Sequence, residues 1–390
     1  MNEMGIRLGE ICQFQSGGTP SRKCPEYFNG DIPWVTTTAL NGGTISFDDA
    51  NELITLKAIE ESAAKLVPAH SILVGTRVGV GKTAINLIPM STSQDIISLT
   101  AIDEHKWYKE FICRFISSKQ NYLVSKARGA TIKGIKIETL ADLEIPEISI
   151  PEQHFIVTVF DKLNFLISSR KQQLVKLDEL VKARFVEMFG NVGTDEKSWG
   201  LARLGDVCKI NPKKTDDTKL KPDLQVSFVP MPAVSEKGEI DPSEIKVYDE
   251  VKTGFTYFRE DDVLFAKITP CMENGKGAIA KGLCNGIGFG STEFHVLRPI
   301  GNISNSYWIY AVTSFEQFRV DAASNMTGSA GQRRVPASFL ESYRVSIPPI
   351  ELQNEFANFV KQVDKSKFAV QKALDEAQTL FDSLMQQYFG

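Results

Sequence analysis

The sequence predicts an α/β (α+β) chain built twice: a mixed domain of strands and helices, a long helix, a second mixed domain, a second long helix. Two observations carry this expectation. Residues 151–190, PEQHFIVTVFDKLNFLISSRKQQLVKLDELVKARFVEMFG, place apolar side chains at alternating steps of four and three. That is the heptad seam of a long coiled-coil helix. Residues 351–390, ELQNEFANFVKQVDKSKFAVQKALDEAQTLFDSLMQQYFG, repeat the seam in the same phase, and both stretches end on Phe-Gly. Two unrelated heptad helices would not share phase, lead-in and ending, so the chain carries an internal twofold repeat.

The first seam comprises Ile156, Phe160, Leu163, Ile167, Leu174, Leu177 and Val181, interrupted by Arg170 and Arg184 on the same stripe. The second comprises Phe356, Val360, Val363, Val370, Leu374 and Phe381. A helix of this length measures roughly 57 Å at 1.5 Å per residue, against a DNA helical repeat of about 34 Å. Two domains carried on such a rod could face a duplex a turn or more apart.

The mixed domains share an opening phrase, RLGEIC at residues 7–12 and RLGDVC at residues 203–208. The expected organisation is a first domain over 1–150, a central helix over 151–190, a polar linker over 191–202, a second domain over 203–349 and a distal helix over 350–390. Short β-branched and aromatic runs at 32–37, 72–74, 96–99, 226–229, 263–265 and 294–297 read as strands bounded by turn residues. Residues 107–127 and 306–322 read as helical pieces. Proline-bearing lead-ins, LEIPEISIPEQ at 143–153 and YRVSIPPIELQ at 343–353, hold the backbone extended until each long helix begins.

At 390 residues, with 42% apolar and 24% charged side chains, the chain suits two cored globular domains. It contains no run of about 18 apolar residues to span a bilayer. The opening MNEMGIRLGEICQFQSGG lacks an apolar core of signal-peptide length. A cytoplasmic protein without membrane association is expected. Six cysteines include no CxxC pair and no histidine at zinc-finger spacing, so free, mostly buried thiols and no metal site are expected. The net charge of −4 argues weakly against nucleic acid. Acidic residues of the helices (Asp161, Asp178, Glu179, Glu187, Asp375, Glu376) can mask a basic face elsewhere, and the local potential is what a duplex meets.

Two motifs suggest chemistry. Residues 76–83, TRVGVGKT, miss the phosphate loop GxxxxGK[ST] by one residue, with Thr76 where the first glycine belongs. The strand–loop–long helix order is absent, since Leu87-Ile88-Pro89 ends the segment early, so a polar hairpin turn with an exposed Lys82 is expected. Pro222-Asp223 followed by Glu244-Ile245-Lys246 mimics a metal-dependent nuclease set, but it is short and has no counterpart in the first half. The four histidines are far apart in sequence, and nothing assembles a nucleophile with a base. No catalytic apparatus is expected.

What is left are paired polar and basic loops. The first domain offers Thr36, Thr37, Arg77, Lys82, Arg128, Thr131 and Lys133; the second offers Lys267, Asn274, Lys276, Arg333 and Arg334. Such side chains read base edges or hold phosphates, although a solvated loop explains any one of them alone.

Three phrases go further: GGTPSRKCPEYFNGDIPWVTTTAL (17–40), FREDDVLFAKITPCMENGKGAIA (258–280) and GIGFGSTEFHVLRP (286–299). With the repeated proline lead-in and long helix, the chain resembles, over essentially its whole length, the specificity subunits of type I restriction-modification systems. Pro151-Glu152-Gln153 and Glu351-Leu352-Gln353 are slightly altered forms of that family's helix start. The resemblance implies two target-recognition domains, over 1–150 and 203–349, and long helices packed as an antiparallel coiled coil. It implies that each domain reads one half of a split, asymmetric site in double-stranded DNA and that the helices set the gap. Two modification (methyltransferase) subunits and restriction/motor subunits would dock on the chain. It would bind no cofactor itself, with S-adenosylmethionine, ATP and magnesium expected on the partners. The alternatives are a structural coiled-coil adaptor, or an NTPase or nuclease using Lys82 or the set Asp223, Glu244 and Lys246.

Overall fold

Strands covered on both faces organise each half of the molecule. The computed structural model of the chain describes residues 5–129, 133–214, 220–329 and 331–390. Its contacts form two units, Met1–Arg170 with Ala373–Gly390 and Lys171–Lys372. Each unit therefore takes one segment of both long helices.

In the first unit the pivot is the strand Ile72–Gly75. It pairs antiparallel with Ile96–Thr100, Val74 opposite Ile97, and with Thr83–Asn86, Leu73 opposite Ala84. Gln13–Ser16 and Thr44–Ile45 complete a five-stranded sheet. Successive strand residues point to opposite faces. Ile72 and Val74 accordingly join a core with Phe111, Phe115, Ile156 and Phe160, while Leu73 joins another with Val35, Leu40 and Ile45. A second sheet orders Glu52–Ile54, Phe28–Val35, Met90–Thr92 and Leu66–Val67, with its central pair parallel.

The second unit repeats this plan with other residues. Cys208–Ile210, Phe294–Pro299, Val263–Ala266 and Gly277–Ile279 form one sheet. Ile245–Val247, Gln225–Val229, Ile287–Gly290 and Thr256–Arg259 form the other, again with a parallel central pair. Alternation divides the cores in the same way. Val263 and Phe265 pack with Trp308 and Phe318, and Leu264 and Ala266 with Phe258 and Phe294.

Each expected helical piece is broken in two: Lys109–Ser118 with Gln120–Lys126, and Ser306–Ser314 with Glu316–Ser324. At the second break Phe315 turns to extended backbone (φ −66°, ψ 143°), and its ring packs on Phe185 at 4.7 Å. A core contact thus ends the helix where the local pattern would continue it.

The long helices run Ile150–Phe189 and Ile350–Phe389. Within each unit their segments pack antiparallel. In the first, Phe160 is fully buried against the rings of Phe381 at 5.2 Å and Phe389 at 5.9 Å. In the second, Phe356 meets Phe185 at 5.6 Å and Phe189 at 5.4 Å. Of the seam residues, Ile156, Leu163, Ile167, Val363 and Leu374 are also buried. Leu174, Leu177, Val181, Val360, Val370 and Phe381 are half-buried. Arg184, which interrupts the seam, is answered by Glu187 and Glu355, each at 2.9 Å. Pairing of this kind is what lets a charge sit in a partly buried stripe.

The polar stretch after the central helix is held in place. Asp195 accepts the N–H groups of Trp199 and Gly200 and the hydroxyl of Ser346, and Trp199 packs on Phe189 at 6.2 Å. The six cysteines are free; Cys113 and Cys208 are buried and the other four half-buried. Burial pushes the thiols of Cys12, Cys113 and Cys208 up to about 12, which leaves them protonated and unreactive at neutral pH.

Candidate nucleic-acid interface

In the first unit a tight hairpin, residues 76–82, joins Ile72–Gly75 to Thr83–Asn86. Gly79 and Gly81 take φ of 67° and 79°, conformations that favour glycine. The turn closes through Gly75 N–H to the Lys82 carbonyl at 2.9 Å and Lys82 N–H to the Gly79 carbonyl at 3.0 Å. Lys82 is exposed, and the next residue enters a strand with its side chain buried. A phosphate loop needs a helix at that point, so the hairpin reading stands.

A second hairpin lies against the first. Arg128 and Gly134 exchange backbone hydrogen bonds at 2.9 and 3.0 Å, and Ile135 N–H reaches the Thr76 carbonyl at 2.9 Å. Gly134 approaches Arg77 so closely that a Cβ there would lie 2.7 Å from the Arg77 Cγ. Arg77, Lys82, Arg128 and Lys133 thereby share one exposed loop pair. Thr131 lies outside the described residues. Thr36 joins a different network, with its N–H on the Asn51 Oδ1 at 2.7 Å and its hydroxyl 2.8 Å from that of Thr38. Thr37 is buried in the adjacent turn, a position unsuited to reaching a ligand.

The second unit makes the same juxtaposition. Val335 N–H reaches the Lys267 carbonyl at 2.9 Å, as Ile135 reaches Thr76 in the first unit. Thr327 and Arg334 close the hairpin with hydrogen bonds of 3.0 and 2.8 Å. Thr269 ties the strand loop to it through Arg333 at 3.0 Å. Lys267, Arg333 and Arg334 are thus brought together, and Asn274 is exposed at the turn of the strand loop. The Lys276 ammonium instead donates to the Met231 carbonyl at 3.3 Å, on another loop.

Carboxylates that sequence reasoning missed separate the two clusters. Asp95 and Glu293 hold corresponding positions, each offering its backbone carbonyl to the residue that follows the pivot strand: Thr76 at 2.8 Å, Lys267 at 2.9 Å. The Asp95 side chain faces Arg77 at 3.4 Å. The Glu293 side chain instead takes Arg334 in a two-pronged pair, Nε at 2.9 Å and Nη2 at 2.8 Å. Those hydrogen bonds hold the Glu293 carboxyl below its usual range. Glu273 faces Arg333 at 3.3 Å. Among the described residues Lys82, Arg128 and Lys133 hold no ion pair. An acidic residue directly before an apolar strand, seen in both halves, was the available signal.

His295, also missed as a contributor, is buried. Its Nε2 lies 2.8 Å from the Val335 carbonyl and its Nδ1 2.9 Å from the Asn211 amide nitrogen. A neutral ring that donates from Nε2 and accepts at Nδ1 satisfies both contacts, and burial lowers its pKa. It braces the hairpin from below.

The nuclease set does not assemble. Gln225 pairs with Val247 and Ser227 with Ile245, and Phe228 N–H reaches the Glu244 carbonyl. Continuing that antiparallel register puts Asp223 about five residues, roughly 16 Å, along the strand from the level of Glu244. Glu244 pairs instead with Lys246 at 3.3 Å. Among the described residues no group of three or more His, Cys, Asp or Glu side chains could hold a metal ion. No described helix is long and apolar enough to cross a membrane.

Each of the two dissimilar units thus presents one basic loop pair on a repeated framework. The type I restriction modification DNA specificity domain model matches residues 3–179 and again 196–377, and the chain belongs to that family. It is 38% identical over 230 residues to the EcoEI specificity subunit of Escherichia coli, covering 56% of this chain and 37% of that one. It is 35% identical over 232 residues to the EcoAI specificity subunit of the same organism, covering 56% and 38%. The chain thus matches little more than a third of the length of these relatives. A crystal structure of the type I restriction-modification system S subunit from M. genitalium superposes with a TM-score of 0.56 at 14% identity, covering 100% of this chain and 97% of that one. A chain from a structural study of complex assembly and conformational transition in the type I system gives 0.62 at 17%, covering 98% and 96%. Both likenesses bear on the fold.

Proposed function

We propose that this chain is the DNA sequence-specificity component of a type I restriction-modification complex and performs no catalysis itself. Each unit reads one half of a split, asymmetric site through its loop pair, and the long helices set the gap. Methyltransferase subunits dock on the chain and bring S-adenosylmethionine; restriction subunits join for cleavage with ATP and magnesium. The complex acts on cytoplasmic DNA.

One observation carries this reading: the same backbone clamp, Ile135 on Thr76 and Val335 on Lys267, presents different basic side chains in the two units. A duplicated frame with unlike readers suits an asymmetric target. Base contacts specify while phosphate contacts position, and both kinds of side chain are present in each loop pair. The relatives' role as specificity subunits supports the same reading.

The test is a map of adenine methylation in cells with and without this chain, its partner methyltransferase being expressed in both. Methylation at a single split, asymmetric motif is expected to vanish when the chain is removed. An unchanged map would overturn the reading.

A further inference from the structure

We propose that Arg334 is a base-reading residue of the second unit and that Glu293 is its positioning residue, an inference that rests on the DNA-recognition reading above. A guanidinium carries five N–H donors in one plane. Arg334 gives Nε–H and one Nη2–H to the Glu293 carboxylate, at 2.9 and 2.8 Å, and one Nη1–H to the Gln332 carbonyl at 3.2 Å. One donor on each terminal nitrogen is left over. The Arg334 side chain is 42% exposed, whereas that of Glu293 is 25% exposed. Two neighbouring donors on a fixed guanidinium match O6 and N7 of guanine in the major groove.

The backbone beneath the reader is equally fixed. Arg334 exchanges both hydrogen bonds with Thr327, Val335 N–H is held by the Lys267 carbonyl, and the Val335 carbonyl is held by His295 at 2.8 Å. An arginine already committed to a carboxylate is a poor phosphate anchor, because the adjacent negative charge repels the backbone. The same carboxylate makes it a better reader, because its orientation is set before DNA arrives.

The first unit shows the contrast. There the corresponding acid, Asp95, faces Arg77 of the strand loop, so the hairpin arginine, Arg128, holds no ion pair among the described residues. Arg128 with Lys82 therefore suits phosphates, which carry no sequence information. Similar basic loops thus divide differently between anchoring and reading in the two units.

The experiment incubates the full chain, in complex with its methyltransferase partner, with a randomised duplex library and sequences the bound fraction. Wild type is expected to select a split motif with a guanine in one half. Glu293→Gln and Arg334→Lys should each lower the preference at that guanine by about tenfold or more, leaving the other half-site intact. Lysine keeps the charge and loses the fork. It also keeps the test decisive if Glu293→Gln disturbs folding. A full motif retained by both variants, or positions weakened in both half-sites, would overturn the proposal. A wild-type complex that selects no motif would overturn the DNA-recognition reading itself, and the proposal with it.

Discussion

Gln153 Oε1 accepts the backbone N–H of Tyr108 at 2.8 Å while its amide nitrogen donates to the carbonyls of Lys106 and Ile148, both at 2.9 Å. Gln353 repeats this in the second unit, on Asn305 N–H at 3.1 Å and the carbonyls of Ile303 and Pro348, both at 2.9 Å. Each glutamine is fully buried and fastens the first turn of a long helix to the loop ahead of the helical pair. Gln153→Leu strands one donor and two acceptors, at about 1–3 kcal/mol for each buried group left unpaired. A loss of roughly 3 kcal/mol or more in urea unfolding is expected. A shift below about 0.5 kcal/mol would show that water takes over the three hydrogen bonds.

His295 should make the second unit acid-sensitive. Its folded-state pKa is lowered, chiefly by burial, from 6.5. Its native state therefore binds fewer protons than the unfolded state, and stability rises with pH. The contribution is fully present above pH 6.5 and is lost as pH falls through the folded value. Lys267 and Glu293 also face the ring, the lysine lowering and the carboxylate raising its pKa. Thermal unfolding of His295→Gln between pH 5 and 7.5 should show a flatter pH dependence than wild type. Identical slopes would assign the acid sensitivity to other groups.

Lys82→Ala and Arg128→Ala should weaken DNA binding by the partnered chain about equally for all sequences. Each should reduce the slope of log affinity against log salt by about one. Thr37→Val, at a buried position, should leave both quantities unchanged. Loss of selectivity in place of a change in salt slope would make Lys82 or Arg128 a base reader.

Deleting one heptad from the middle of each long helix removes about 10 Å of rise from each. The gap between half-sites should shorten by about three base pairs while both half-site sequences persist. Phe160 and Phe356 anchor the seam at zero exposure, and Phe160→Ala should cost about 3–5 kcal/mol. A gap that does not change would show that the helices do not set it.

Much of the frame was legible because it rests on short-range pattern. The heptad spacing gives the long helices, and strand runs such as 72–74 and 263–265 fall inside Ile72–Gly75 and Val263–Ala266. The site was legible only as a set of loops. Thr36 and Thr37 looked equivalent to Arg77 on chemistry alone, yet Thr37 is buried and Thr36 is spent on Asn51. The break at Phe315 was invisible because its cause is a ring on another helix, Phe185.

By itself the sequence determined the twofold build, the long heptad helices and the placement of basic residues in loops after the pivot strands. Those features follow from periodicities of two and three to four residues and from repeated phrases, which any stretch of chain carries locally. Tertiary structure alone decided how each basic group is used. Arg334 meets Glu293 across 41 residues of chain, because a hairpin is laid on a strand loop by one backbone hydrogen bond. In the first unit the same clamp leaves Arg128 unpaired among the described residues and gives Asp95 to Arg77. Ion pairing depends on which loops the strand register brings within a few ångströms, and no local pattern encodes that distance.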